Sequence, residues 1–285
     1  MTAFLERTGL DLHSGHISLA RVRYTSGRPM VMDMKTISDE SVSEGEPLLH
    51  LSVGVPNACV VAKQLRIPEL LTVDPKSAAQ YELSLLLLDP PKDYLHELIP
   101  TESPSRWLGL ALKRECAEEL NQRIESRGLG KGESVHFCPR SVALGKAIMT
   151  FAIGSGGDYF VAVEIDDSAT TLAFLQGGRI VDVGQCALSG TDWSSPASVD
   201  MAMRDIRTVI ALHQSRLFSL GITTPLTQIV LSGLQATEEH CKILQRHFPG
   251  LITIPRLNAG FFAEPAQASQ SAAHRYLVPL GLALE

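Results

Sequence analysis

Hydrophobic and polar positions follow two rhythms along this chain. Near the start, "TGLDLHSG", "HISLARVRY" and "PMVMDMKTI" keep the two-residue period of strands, with turn signals at His13 to Gly15 and at Ser26-Gly27. The polar stretch "SDESVSEGE" reads as a loop. From Ala58 to Ile148 the order is strand ("ACVVAKQLRIP"), helix ("PKSAAQYELSLLLL"), two strands ("YLHELI", "RWLGLAL"), helix ("ECAEELNQRIESRG"), strand ("SVHFCP") and helix ("SVALGKAIM"). This order predicts an α/β fold carrying a compact inserted βαββαβ-like unit.

The first hairpin recurs later in the chain. "GLDLHSGHISLARV" laid on "AVEIDDSATTLAFL" pairs Asp11 with Glu164, Ser18 with Thr171, Leu19 with Leu172 and Ala20 with Ala173, at a constant offset of 153 residues. Downstream, "SGR" at Ser26 and "GGR" at Gly177 fall two residues out of that register, as a shorter second hairpin requires. Two halves that each open with an acidic residue at a strand end predict a duplicated, two-lobed fold with a cleft between the lobes. The boundaries expected are a first lobe over 1–153, with the insert at about 58–139, and a second lobe over 158–285. "GSGGD", Gly154 to Asp158, is followed by a strand and not by a helix N-terminus, so it reads as a link between lobes and not as a phosphate loop.

Composition narrows the function. Of 285 residues, 45% are hydrophobic and 20% charged, enough for a substantial core, and the net charge of −6 with interspersed signs provides no basic stripe for nucleic acid. The five cysteines are scattered and never form a CxxC or another metal-ligand spacing, so they read as buried thiols in a reducing cytoplasm. No stretch approaches the roughly 20 apolar residues of a membrane span, so any membrane contact is expected through a partner.

Several side chains have both a chemical and a plain reading. His13 and His16 flank a turn without a carboxylate or Cys at ligand spacing, which favours solvated turn histidines over a metal site. His240 and His247 lie about two helical turns apart, too far to close one tetrahedral site. Arg204 and Arg207 have Asp200 and Asp205 within pairing reach on the same helix. The run Leu85 to Leu88 steps through about 300° of a helix, more than one core can bury from a single side. It is either buried between two layers of the chain or forms the wall of a groove for a partner peptide.

Taken in order, the paired hairpins, "LRIPELLTVDPKSAAQYELSLLLLD", "MAMRDIRTVIALHQSRL", "TQIVLSGLQA" and the ending "YLVPLGLALE" resemble the actin-like ATPase superfamily, and within it the PilM-like proteins of type IV pilus assembly. The resemblance covers nearly the whole chain. It implies a two-lobed actin-like fold whose insert replaces the second small subdomain of actin, and a C-terminal helix from Gln270 that returns to the first lobe, confined by Pro279. It implies a cytoplasmic protein held at the inner face of the inner membrane through the cytoplasmic tail of a PilN-like membrane protein. Tyr81, Leu85 and Leu88 are the residues expected to meet that tail.

The same resemblance places nucleotide, if any binds, at Asp11, Ser14, Glu164 and Gly233. The mechanical residues of that site are altered: His13 replaces a glycine, Ser18 a lysine, Glu164 an aspartate and Asp166 a glycine, and Gly233-Leu234 replaces a double glycine. A carboxylate about 5 Å from a phosphate charge repels it by roughly 3 kcal/mol at an effective dielectric near 20. The expectation is therefore no cofactor, or weak Mg-ATP, with no catalytic residue and no metal site. The rival functions are an active ATPase or kinase of the superfamily and the cytoplasmic domain of a GspL-like type II secretion protein.

Overall fold

The computed structural model describes residues 5–13, 15–38, 48, 50–67, 74–101, 105–129, 135–153, 158–167, 169–188, 190–267 and 270–285. Strands β1 (Leu5–Leu12), β2 (His16–Thr25) and β3 (Arg28–Ser38) form an antiparallel meander, and β4 (Leu51–Val55) pairs parallel with β1. The chain then leaves this sheet. β5 (Val60–Arg66), α1 (Pro75–Leu85), β6 (Tyr94–Pro100) and β7 (Arg106–Lys113) build a separate three-stranded sheet of order β5-β7-β6, with Ala79 and Leu83 of α1 buried against it. Asp74 starts α1 by accepting hydrogen bonds from the backbone N–H and hydroxyl of Ser77, with Pro75 in the first turn.

The helix α2 (Arg114–Ser126) and strand β8 (His136–Pro139) return to the first sheet. β8 pairs parallel with β4, and Ala117, Leu120 and Ile124 of α2 pack on Leu10, Leu12, Ile17 and Val53. The separate unit is thus narrower than the 58–139 expected from element order, because order along a chain does not reveal which sheet a strand joins. The "SDESVSEGE" loop beyond Ser38 and the Gly154–Gly157 link lie outside the described residues.

After α3 (Arg140–Phe151) and the short β9 (Ala152–Ile153), the second lobe repeats the first. β10 (Tyr159–Ile165), β11 (Ala169–Gln176) and β12 (Arg179–Ala187) form the meander. α4 (Pro196–Ser219), β13 (Gln228–Ser232), α5 (Glu238–Gln245), β14 (Ile252–Thr253) and β15 (Arg256–Leu257) follow, and β15 pairs with β9. The two sheets have the same topology, β3-β2-β1-β4-β8 and β12-β11-β10-β13-β14, with matching strand directions. The 153-residue offset holds in the hairpin register: Asp11 faces Ser18 as Glu164 faces Thr171. Even the β-bulges correspond, at Arg21/Val22 and at Phe174/Leu175. Duplication is therefore visible in the backbone.

Three cores hold the lobes. α2 covers the outer face of the first sheet, and α4 and α5 cover that of the second. Between the inner faces lie α3 and the last helix, α6 (Glu264–Gln267) being short and α7 (Leu277–Leu282) following a 3₁₀ stretch at Gln270–Tyr276. Nine of the twelve residues of α3 are buried, as suits a helix enclosed on all sides. α7 is buried throughout and packs on β1 and α3. Pro279 fits because it stands in the first turn, where its missing N–H costs nothing. Gly281 permits the contact with α3, since a Cβ there would fall 1.8 Å from the carbonyl oxygen of Ala143. Among the described residues, no helix is long and apolar enough to cross a membrane.

Candidate functional site

The strand period sets the cleft. In β1, Leu10 and Leu12 point to the outer core, so Asp11 points inward; in β10, Val163 and Ile165 point outward, so Glu164 points inward. Just beyond each strand the turn closes in the same way, His13 N–H donating to His16 O at 3.0 Å and Asp166 N–H to Ala169 O at 3.1 Å. His13 and Asp166, also 153 residues apart, therefore occupy equivalent corners. Ser14 lies outside the described residues.

These groups converge on Arg140, the first residue of α3. Its Nη2 stands 2.9 Å from Asp11 Oδ2 and 3.1 Å from Glu164 Oε2, and it donates a short hydrogen bond to Asp166 Oδ2. His13 completes the cluster, with Nε2 3.2 Å from Asp11 Oδ2 and Nδ1 3.4 Å from Asp166 Oδ2, and its ring stacks on His16 at 4.3 Å. All but His13 are fully buried. Asp11 is held by charge alone: among the described residues no well-aligned hydrogen bond reaches either of its carboxylate oxygens.

The electrostatics follow from burial and crowding. Burial raises the Asp11 pKa, but Arg140 and His13 outweigh it and hold the carboxyl at about 2. Burial, reinforced by Asp166 and Asp11 and opposed by Arg140, pushes Glu164 well above the usual carboxylate range. Burial lowers the His13 pKa, yet Asp11 and Asp166 raise it further and the net shift is upward. Arg140 and His13 thus supply the positive charge that faces the carboxyl groups of Asp11, Glu164 and Asp166. The ligand atoms of Asp11, His13 and Asp166 lie close enough to hold a metal ion, but Arg140 already supplies the positive charge at that point.

Two sequence expectations change here. His13 is not a solvated turn histidine, because folding brings it carboxylates that no local spacing shows. Nor does Asp166 present a bare negative charge to the cleft, since Arg140 donates to it. Asp167 points away, accepting from Gln235 Nε2 at 2.7 Å while its carbonyl accepts from Trp193 Nε1 at 3.2 Å. Gly233 adopts φ +94°, and a Cβ there would lie 2.5 Å from Ile165 O, so the β13 turn is pressed against the end of β10. Ser18, at the lysine position, is buried and faces the cleft opposite Asp11.

The insert carries the other candidate surface. Leu83 is fully buried, whereas Tyr81 is 64%, Leu85 61% and Leu88 99% exposed, with Leu86 also at the surface. The alternative of burial between two layers is thereby removed for Leu85, Leu86 and Leu88, while Leu87 packs partly on the insert core. The remaining candidates are structural. Arg204 pairs with Asp200 at 2.7 Å, His240 Nδ1 meets Gln235 O at 2.6 Å, and His247 lies 3.6 Å from Asp200.

No protein-family model matches this chain, and no curated protein does. Solved structures do. A chain of the PilM-PilN type IV pilus biogenesis complex matches with a TM-score of 0.63 and 15% identity over 98% of both chains. The cytoplasmic domain of EpsL, an inner-membrane component of the type II secretion system of Vibrio cholerae, matches 67% of this chain and 77% of its own at TM-score 0.43 and 10% identity. A Bacteroides thetaiotaomicron protein with an actin-like ATPase fold and unknown function reaches 0.49 at 8% identity over 94% and 95%. The last two are too distant to carry an argument; the first shows the fold. This chain has, over almost its full length, the two-lobed actin-like fold found in the PilM-PilN complex.

Proposed function

We propose that this protein is an actin-like scaffold of a type IV pilus-like inner-membrane assembly, which captures the cytoplasmic tail of a PilN-like membrane protein and binds nucleotide weakly or not at all. The observation that carries the reading is Arg140, bonded to the carboxylates of both hairpins, in a fold whose cleft otherwise serves phosphate. An enzyme of this fold needs that space for its substrate. A scaffold does not.

The tail is assigned to the insert beside Tyr81, Leu85 and Leu88, exposed apolar side chains on α1 and the turn that follows it. A tail that orders only on binding has modest affinity for its area, and tethering to a membrane raises its effective concentration enough to compensate. On this reading the protein works in the cytoplasm at the inner face of the inner membrane.

The test uses labelled peptides from the cytoplasmic tails of single-span membrane proteins encoded beside this gene. Fluorescence anisotropy should give a dissociation constant on the order of micromolar, and Leu85→Asp or Leu88→Asp should weaken it at least about tenfold, the equivalent of ~1.4 kcal/mol. Unchanged affinity in both variants places the groove elsewhere, and no binding by any such tail removes the scaffold reading.

A further inference from the structure

The four charged groups around Arg140 come from two lobes. Asp11 and His13 belong to the first, Glu164 and Asp166 to the second, and Arg140 opens the helix enclosed between them. Any group that touches both hairpins links the two lobes. Here a guanidinium bridges them, through one nitrogen within 3.1 Å of a carboxylate on either side. Between the insert side and β12, an apolar core that joins Leu108 and Leu110 to Ile180 and Val183 is edged by hydrogen bonds from Asn57 to Gly184 O at 2.7 Å, from Gln64 to Val181 O at 2.7 Å, and from Arg179 to Thr101 O at 2.6 Å.

We propose that Arg140 acts as a tethered substitute for nucleotide, a clamp that fixes the two lobes in one closed arrangement without any diffusible ligand. The inference does not rest on the scaffold reading, since a clamp of this kind would operate whatever the protein binds. Three features support it. The carboxyl groups of Asp11, Glu164 and Asp166 already meet a cation of the chain itself. Arg140 is itself buried, at the start of a helix of which nine of twelve residues are buried. And guanidinium stays charged at any physiological pH, so the clamp is permanent, unlike one made by a histidine.

Lysine offers the decisive comparison. It retains one positive charge, but its side chain is one bond shorter, so its ammonium stops short of the point at which Nη2 of Arg140 meets Asp11, Glu164 and Asp166. Hydrogen–deuterium exchange on the full chain should therefore read the clamp directly. In the wild type, the amides of His13 and Asp166 should exchange at the same rate with and without millimolar Mg-ATP. In Arg140→Lys, those amides and the segments around Asn57, Gln64 and Gly184 should exchange about tenfold faster, while the core beneath α4 and α5 stays as protected as before. Equal exchange in Arg140→Lys and wild type overturns the clamp. So does slowing of the wild-type hairpins by Mg-ATP, which would mean that nucleotide enters beside Arg140. Loss of protection throughout Arg140→Lys also counts against it, because the residue would then be a general stabiliser and not a link between lobes.

Discussion

Asp11 and Glu164 share one nitrogen: Nη2 of Arg140 lies 2.9 Å from Asp11 Oδ2 and 3.1 Å from Glu164 Oε2. Duplication placed these two carboxylates at equivalent strand ends, and the fold turns both toward the same point. Left alone they would repel. A single arginine turns that repulsion into an attachment.

Removing the guanidinium should be costly. Arg140→Ala leaves buried carboxylates without their partner, and breaking a buried ion pair from one side costs about 3–5 kcal/mol. Urea unfolding of Arg140→Ala should show a loss of this size. Adding Asp11→Asn should recover part of it, and strictly additive losses would show that the two residues do not interact.

The acid side of the stability profile should report Asp11. Its pKa is 3.8 unfolded and about 2 folded, so its contribution is complete above pH 4 and disappears as the pH falls through 2. Asp11→Asn should flatten the profile in that interval. Glu164 has the opposite sign: its raised folded pKa means that folding takes up a proton, so stability falls as the pH rises above the unfolded value of 4.5. Glu164→Gln keeps an acceptor for Arg140 without the ionisation. Its stability relative to wild type should therefore rise between pH 5 and pH 8, and a constant difference would refute the assignment.

Nucleotide should bind poorly. Isothermal titration with Mg-ATP should give no saturable binding at low micromolar concentration, and a dissociation constant below about 10 µM, roughly 7 kcal/mol, would overturn this. Ser18→Lys with Asp166→Gly should not be enough to restore binding while Arg140 remains. Adding Arg140→Ser to those changes should strengthen it.

Two leucines of α1 should separate surface from core. Leu83→Ala removes a fully buried side chain and should cost about 2–5 kcal/mol. Leu85→Asp alters a side chain that is 61% exposed and should change stability by no more than about 0.5 kcal/mol. If Leu85→Asp unfolds the insert, the residue belongs to the core and the docking assignment fails.

Much of this architecture was legible in the sequence because β-hairpins declare themselves locally. The two-residue period of "GLDLHSGHISLARV" and its echo 153 residues later give both the strands and their shared register. What stayed hidden was convergence. Arg140 follows "HFCP" with no motif around it, and its partners lie 24 and 26 residues ahead and far back in the chain. One signal was present: in "RSVALGKAIMTF" a charged residue opens a helix that is mostly apolar and carries one other charge, Lys146, and such a helix is largely enclosed. A charge at the mouth of an enclosed helix needs an opposite charge nearby. The strand β8 was misplaced for a related reason, since four residues carry no mark of which parallel neighbour they will choose.

The position of α7 bears on how the molecule is made. The first sheet is complete once β8 has been synthesised, yet its inner face at β1 is covered by residues 277–282, which leave the ribosome more than a hundred residues later. Until then that face has no helix to cover it, and an early-finished lobe waits for a late-made one. The halves descend from one repeat but cannot mature one after the other. Covering β1 therefore waits on α7.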